Sequence, residues 1–501
     1  MLSVIAPEQL RDPAPQSFNM ARYVLAAGQA TPDKPALIIA GNRREVWSYA
    51  ELTRATRGLG TALLDQGLTP GDRVLMRLGN TVEFPLTYLA AIAVGLIPVP
   101  TSPMLTGPEV TKIADEISPA LVVADTGIAL PSQDIPVLGA DALHDLHQRP
   151  PCDWHMGAPD RPAYIIYTSG TSGAARAVTH AHRAIWARRM MHDGWFGLTP
   201  SDRVLHAGAF NWTYTLGTGL MDPWALGATA VIPAVGTAST DLPALLARDA
   251  ATIFAATPGV YRQMLRADMP DLPSLRHGLS AGEKLPAAIR ARWSAATGTA
   301  IYEAFGMSEC STFVSGAPSR PAPEGALGYA QEGRYVAVLS PDGVPVRRGM
   351  GGTLAVHRSD PGLMLGYWGA PEATEARFHG DWFVTGDQVS MAEDGAITYL
   401  GRDDDMMNAG GFRVSPVEVE AVFTAHPDIH ECAAVEQPVK ADTTAVCLYY
   451  TADAPLAEAS LVSFAASRLA RYKTPRVFVH VAALPKNRNG KIQRRALRKA
   501  L

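Results

Sequence analysis

The 501 residues exceed what a single hydrophobic core organises, so two or more domains are expected. With 47% apolar and 18% charged residues, 44 glycines, 39 prolines and a net charge of -4, the composition excludes a disordered polyelectrolyte, and the lack of a basic run argues against nucleic acid as a partner. Cys152, Cys310, Cys432 and Cys447 stand far apart without a CxxC pair. That spacing argues against a disulfide scaffold or a structural zinc site and for free thiols in the reducing cytoplasm.

In chain order, Glu8, Arg11 and Asp12 occupy the start, where an export signal would need an apolar run. Helical spacing predicts a helix over 49–66, and a β-branched run predicts a strand over 73–77. The most apolar stretch, 84–100, is broken by Pro85, Pro98 and Pro100. It therefore reads as a buried helix over about 83–94 leading into a short strand, and no membrane span is expected. Further strands are predicted over 120–123, 163–167, 228–232, 253–255 and 336–339, the alternation of a parallel α/β sheet. From Gly352 the texture becomes strands and tight turns (353–357, 382–385, and 396–400 after Asp394-Gly395), as in a small barrel or meander. The run Gly401-Arg402-Asp403-Asp404-Asp405 has no core-forming pattern. A separate αβ unit follows it, with helices over about 416–426 and 456–470.

The most informative stretch runs from Tyr164-Ile165-Ile166-Tyr167 into Thr168-Ser169-Gly170-Thr171-Ser172-Gly173-Ala174-Ala175-Arg176. Hydroxyls and unobstructed N–H groups after a strand suit a polyphosphate cradle, although alone such a stretch also fits a flexible surface loop. It matches neither the Walker pattern nor a GxGxxG fingerprint. With Val178-Thr179-His180-Ala181-His182 closing it, the segment resembles the YTSGTTGxPKGVxHxH loop of the adenylate-forming (ANL) superfamily. Ala175 replaces the proline of that pattern, Arg176 the lysine and Ala177 a glycine. Arginine keeps the charge but presents a planar fork. The two histidines are poor zinc candidates within this motif.

Five further blocks follow in the superfamily's order. Ser280-Ala281-Gly282-Glu283-Lys284 resembles the segment against the adenine, and Glu303-Ala304-Phe305-Gly306-Met307-Ser308-Glu309 the later nucleotide-binding block. Thr385-Gly386-Asp387 resembles the TGD motif, and Gly401 to Asp405 with Gly410-Gly411-Phe412-Arg413 the hinge and the glycine loop beyond it. Pro485-Lys486 through Gly490-Lys491-Ile492-Gln493-Arg494-Arg495 resembles PKxxxGKIxRR.

The resemblance implies acyl- or aryl-CoA ligase chemistry, with ATP, Mg2+ and coenzyme A as cofactor and co-substrates. By it, Lys491 is the adenylation lysine, Arg402 meets the α-phosphate, Glu309 holds the metal, Ser308 hydrogen-bonds phosphate and Asp387 binds the ribose. Thr168, Ser169, Gly170, Thr171, Ser172, Gly173, Arg176, Gly282, Glu283, Lys284, Glu303, Ala304 and Phe305 complete the ATP site. Asp404 is the hinge pivot, and Gly410, Gly411 and Phe412 face CoA.

Asn211-Trp212-Thr213-Tyr214 and Met221 to Ala228 look most like the acyl-pocket region of medium-chain and benzoate-type ligases. That likeness implies a pocket of Asn211, Trp212, Ala281, Gly282, Gly306 and Met307. Acetate-activating relatives carry tryptophan at the position of Gly306, so glycine is expected to leave the pocket floor open to longer or aromatic acids. The implied architecture is α/β: an N-terminal domain (1–400) with parallel doubly wound sheets plus a small β-barrel-like part, a hinge (401–405) and a small mobile α+β C-terminal domain (406–501). A homodimer is compatible with the resemblance. The alternatives are an acyl-AMP ligase loading a carrier protein and a non-catalytic nucleotide-binding relative. Lys491, Glu309, Asp387 and Arg402 argue against the latter.

Overall fold

The structure, a computed structural model, describes residues 1–7, 13–42, 44–168, 176–403, 405–409, 412–440, 443–466, 468–469, 473–487 and 490–498, and every count below refers to them. A nine-stranded sheet organises the first two thirds of the chain. Its order is Tyr329–Ala330, Ser311–Ser315, Ala300–Met307, His277–Ala281, Ile253–Ala256, Arg203–His206, Thr229–Pro233, Pro35–Ala40 and Glu45–Ser48. The strands from Ala300–Met307 to Pro35–Ala40 run parallel, and the outer ones are antiparallel. A second, four-stranded sheet is wholly parallel, with Arg73–Arg77 between Ile97–Pro100 and Leu121–Ala124, and Val137–Gly139 outermost. The near-continuous burial of Arg73–Arg77, Ile97–Pro100 and Leu121–Ala124 is what strands covered on both faces require, whereas the edge strand Val137–Gly139 is largely exposed.

Helix Tyr49–Asp65 begins with a capping box, the Ser48 hydroxyl and Glu51 carboxylate satisfying each other's backbone N–H groups. Helix Glu83–Ala93 is buried at every residue after Glu83. Pro85 falls in its first turn, where an N–H has no helical acceptor to lose. Among the described residues no helix is long and apolar enough to cross a membrane.

Strand Pro162–Tyr167 departs from the parallel pattern. It pairs antiparallel with Ala177–Ala181, Tyr167 opposite Ala177, and the latter pairs with Gly366–Tyr367. The hydroxyl- and glycine-rich segment thus joins two strands of a hairpin and does not run into a crossover helix. The barrel-like part is a six-stranded sheet. Val4–Ile5, Val336–Leu339, Gly351–His357, Trp382–Met391 and Phe378–His379 succeed one another in it, with Ile397–Arg402 also on Trp382–Met391.

Beyond it, Glu431–Lys440, Thr443–Thr451 and Val477–His480 form a small sheet packed by helices Pro416–Thr424 and Glu458–Ala466. The second helix is shorter than the expected 456–470 at its start because the Leu456 N–H donates to the Tyr450 hydroxyl at 2.9 Å outside it. Two apolar clusters in this part draw only on residues from Met407 onward.

Candidate active site

The hairpin holds the neck of the cradle. The Thr168 N–H donates to the Arg176 carbonyl at 3.0 Å, and the Arg176 N–H to the Thr168 hydroxyl at 3.1 Å. Ser169, Gly170, Thr171, Ser172 and Gly173 lie outside the described residues, as do Asp404, Gly410 and Gly411, and the side chain of Phe412 is likewise outside them. The Arg176 guanidinium lies over the Tyr367 ring, 5.6 Å from its centre. His180 and His182 are each fastened to a backbone group. His180 Nε2 meets the Ser308 carbonyl at 2.7 Å, and His182 Nδ1 accepts from the Met20 N–H at 3.0 Å. Burial pushes the two imidazoles down to about 4 and about 3 respectively.

Tyr367 reaches further. Its hydroxyl donates to Glu309 Oε1 at 2.8 Å, while the Met364 N–H donates to the Glu309 carbonyl at 2.8 Å. The carboxylate thus has one oxygen held by a phenol in a segment far away in sequence. Nothing in a sequence pattern pairs these positions; the signal available was Gly366-Tyr367, whose strand edge abuts the cradle hairpin.

On the six-stranded sheet, cross-strand register sets Asp387 opposite Arg402. The guanidinium donates to Asp387 Oδ2 at 3.0 Å and to the Thr385 carbonyl at 3.1 Å. The Tyr399 hydroxyl donates to Asp387 Oδ1 at 3.2 Å. Burial raises the Asp387 carboxyl, and the charges of Arg402 and Lys491 oppose that rise. Lys491 also acts on Glu283, which burial raises and Arg262, Lys491 and Lys486 lower. Asn487 fixes the Lys491 backbone, accepting the Lys491 N–H at 2.9 Å and donating its own N–H to the Lys491 carbonyl at 2.8 Å. The C-terminal part meets helix Pro258–Met264 through Glu431, which takes Arg262 at 2.5 Å and Lys486 at 2.7 Å.

Along the expected acyl pocket, Trp212 lies against Gly282. A Cβ there would stand 3.0 Å from its ring, and φ of +95° independently favours glycine. Trp212 also meets Tyr214 edge-on at 5.3 Å. Asn211 leads into this wall, and buried Ala281 ends the strand behind it. Thr215–Met221 is a π-helix, which periodicity did not foretell; its small residues Gly217 and Gly219 let the Arg188 guanidinium and the His206 ring approach the backbone.

Two expectations need correcting. Gly306 is no open floor: a Cβ there would come 2.3 Å from the Ser311 carbonyl and 2.5 Å from Thr312 Cα, so the close antiparallel strand requires glycine. The Glu303 carboxylate faces the interior, accepting the Leu285 N–H at 2.8 Å and pairing with Arg290 at 3.3 Å. It braces the adenine-side turn from behind, and burial raises it to about 7. Ala304 is buried beside it, and Phe305 packs on Phe313 and Tyr399. Met307, Ser308 and Lys284 retain exposure along the same side, Lys284 the most.

The model of the AMP-binding enzyme family matches residues 25–368, and that of the AMP-binding enzyme C-terminal domain residues 418–491. A 3-hydroxybenzoate–CoA/4-hydroxybenzoate–CoA ligase from Thauera aromatica is 30% identical over 97% of this chain and 98% of its own. The benzoate–CoA ligase of the same organism is 31% identical, covering 91% of each chain. Among solved structures, the anthranilate CoA ligase AuaEII in complex with anthranoyl-AMP superposes with a TM-score of 0.87 at 25% identity, covering 97% of this chain and 98% of that one.

Proposed function

The chain belongs to the AMP-binding enzyme family, and on that premise we propose that it is an AMP-forming carboxylate–CoA ligase. An aromatic or medium-chain aliphatic acid reacts with MgATP to give acyl-AMP and pyrophosphate. The sulfur of CoA then attacks the acyl carbonyl, the bond to the adenylate oxygen breaks, and AMP leaves. The observation that carries this reading is the Asp387 carboxylate held by Arg402 at 3.0 Å and by the Tyr399 hydroxyl at 3.2 Å, in a chain that matches both the AMP-binding enzyme family and its C-terminal domain.

In the first step the acid's carboxylate approaches an α-phosphorus that already carries negative oxygens. Lys491 and Arg402 offset the charge gathering there. Asp387, held by Arg402 and Tyr399, accepts the ribose hydroxyls. Thr168, Ser308, Arg176 and the cradle residues between Thr168 and Arg176 face the polyphosphate. Gly282, Glu283 and Lys284 line the adenine side.

Among the described residues no three His, Cys, Asp or Glu side chains cluster as a metal site. The hard carboxylate oxygen of Glu309 fits a magnesium ion and would hold it, and the ion would supply screening of the negative charge on the phosphates. Tyr367 orients that carboxylate.

The division into 1–400, a hinge at 401–405 and a mobile 406–501 belongs to the proposal, supported by apolar clusters confined to the later part. Rotation about Asp404 would exchange Lys491 for Gly410, Gly411 and Phe412 over the acyl-adenylate. We place the enzyme in the cytoplasm, in keeping with four buried free thiols. A homodimer is compatible with this reading, and solution mass decides it.

The test is a panel of aromatic and medium-chain acids assayed for pyrophosphate and AMP with and without CoA. Thioester and AMP should appear together and only with CoA. Pyrophosphate release without any thioester would instead favour an enzyme that stops at the adenylate or loads a carrier protein.

A further inference from the structure

Arg262 lies in helix Pro258–Met264 of the N-terminal part, and that helix is pinned from within. The neighbouring Tyr261 is fully buried, and its hydroxyl lies 3.0 Å from the carbonyls of both Phe254 and Leu279, donating between them. Leu279 belongs to strand His277–Ala281, which runs directly into the adenine-side segment at Gly282. Arg262 therefore stands on a frame shared with that segment.

Its guanidinium donates to Glu431 Oε1 at 2.5 Å, across the proposed hinge. Glu431 opens strand Glu431–Lys440 opposite Thr451, whose hydroxyl accepts the Glu431 N–H at 3.1 Å. The same carboxylate accepts from Lys486 Nζ with both oxygens, at 2.7 and 2.8 Å. One carboxylate thus joins a cation before the hinge to a cation after it.

Lys486 is in turn tied to Lys491 through the backbone. It pairs antiparallel with Ile492, while the Asn487 N–H donates to the Lys491 carbonyl at 2.8 Å and the Asn487 side-chain oxygen accepts the Lys491 N–H at 2.9 Å. The two lysines sit on facing arms of one tight hairpin. What holds Lys486 also holds the backbone that carries Lys491.

We propose that Arg262 is a positioning residue for acyl-AMP formation: with Glu431 and Lys486 it forms an ionic latch that seats the Lys491 hairpin for the first half-reaction and opens for the second. The assignment rests on the ligase reading above and on its hinge. The exposure of the pair suits a contact that breaks in every turnover. Arg262 is 35% and Glu431 22% exposed at the side chain, so water solvates both charges as they part, and the contact biases the balance between two orientations by only a few-fold. A fully buried pair would be far harder to separate.

The experiment measures, in single turnovers, acyl-AMP formation at saturating ATP and acid and thioester formation from supplied acyl-AMP, each at low and high NaCl. It compares the parental enzyme with Arg262→Ala, Arg262→Lys, Glu431→Ala and the Arg262→Ala/Glu431→Ala double variant, with circular dichroism reporting the fold. Arg262→Ala should slow acyl-AMP formation by roughly three- to tenfold and leave thioester formation at or above the parental rate. Arg262→Lys should recover part of the loss. The double variant should be no slower than Glu431→Ala, because both substitutions remove one contact. High salt should narrow the gap between the parental enzyme and Arg262→Ala, since it screens the pair that only the former has. Parental acyl-AMP formation in folded Arg262→Ala overturns the proposal. Equal slowing of the two half-reactions, additive losses in the double variant, or a loss seen only below saturating ATP overturns it too, by making Arg262 a structural or a nucleotide-side residue. Failure of the parental enzyme to yield thioester from any acid contradicts the ligase reading itself.

Discussion

Tyr367 and Glu309 lie 58 residues apart, yet one hydrogen bond of 2.8 Å decides which oxygen of the carboxylate is left to face a cation. A hydrogen bond to a charged group contributes about 1.5–3 kcal/mol. Tyr367→Phe should therefore lower kcat/KM for acyl-AMP formation by roughly 10- to 100-fold and raise the magnesium concentration for half-saturation. Thioester formation from supplied acyl-AMP should stay near the parental rate; a magnesium titration of each half-reaction checks this. Glu309 could be proposed as a metal ligand from a contiguous motif, whereas its hydrogen-bond partner could not be read, because the strand pairing that joins them is a tertiary event. Glu303 shows the reverse failing. Its place in the same motif assigns it to ATP, but its side chain points into the protein. Its carboxyl is raised from 4.5 to about 7 by burial. An acid with a raised folded-state pKa contributes fully below its unfolded pKa and loses that contribution as pH rises through the folded value. Glu303→Gln keeps the oxygen that accepts the Leu285 N–H and removes the titration. Relative to the parental protein, the variant should gain stability between about pH 4.5 and 7, by an amount on the order of 3 kcal/mol. Urea melts of both proteins across that range measure it, and parallel pH profiles would contradict it.

Among the elements, strand and helix types were largely readable from periodicity, since a buried parallel strand and an amphipathic helix leave different spacings. Arg73–Arg77 and Val336–Leu339 occur where expected, and Tyr49–Asp65 ends one residue early. Pairing was less readable. The strand before the cradle looks like its parallel neighbours, and only its partner Ala177–Ala181 makes it a hairpin arm. The π-helix Thr215–Met221 was hidden for a related reason: its glycines are there for side chains from other elements. A Cβ on Gly217 would fall 2.2 Å from the Arg188 guanidinium. Gly217→Ala should displace that group from buried Asp222 and destabilise the protein by about 3–5 kcal/mol, as breaking a buried ion pair does. Denaturant unfolding gives the value, and a change below about 1 kcal/mol would show that the helix relaxes around the methyl group. The same reasoning makes Gly306 a backbone requirement, so enlarging it tests strand packing before it tests substrate size.

At the scale of the whole molecule, the proposed two-part plan comes from the order of motifs from the cradle to Lys491, an order that does not reveal the contacts between the parts. Glu431 takes Arg262 from one part and Lys486 from its own, and Arg494 bridges Glu420 and Asp405 beside the hinge. This is the arrangement in which Lys491 acts on Asp387 and Glu283. On the proposed mechanism the second half-reaction uses a different face of the C-terminal part. Fixing the backbone at Asp404 should therefore leave adenylation intact and slow transfer. Asp404→Pro, which locks φ, is predicted to accumulate acyl-AMP in single-turnover experiments with CoA present. Parental transfer rates in a folded Asp404→Pro protein would remove the hinge. The central claim, that the Lys491 ammonium serves the attack on the α-phosphorus, is tested most directly by Lys491→Ala in each half-reaction. Acyl-AMP formation should fall by roughly 100-fold or more, as for loss of a group that stabilises transition-state charge, while thioester formation from supplied acyl-AMP stays within a few-fold of the parental enzyme. Equal loss in the two steps would contradict the account.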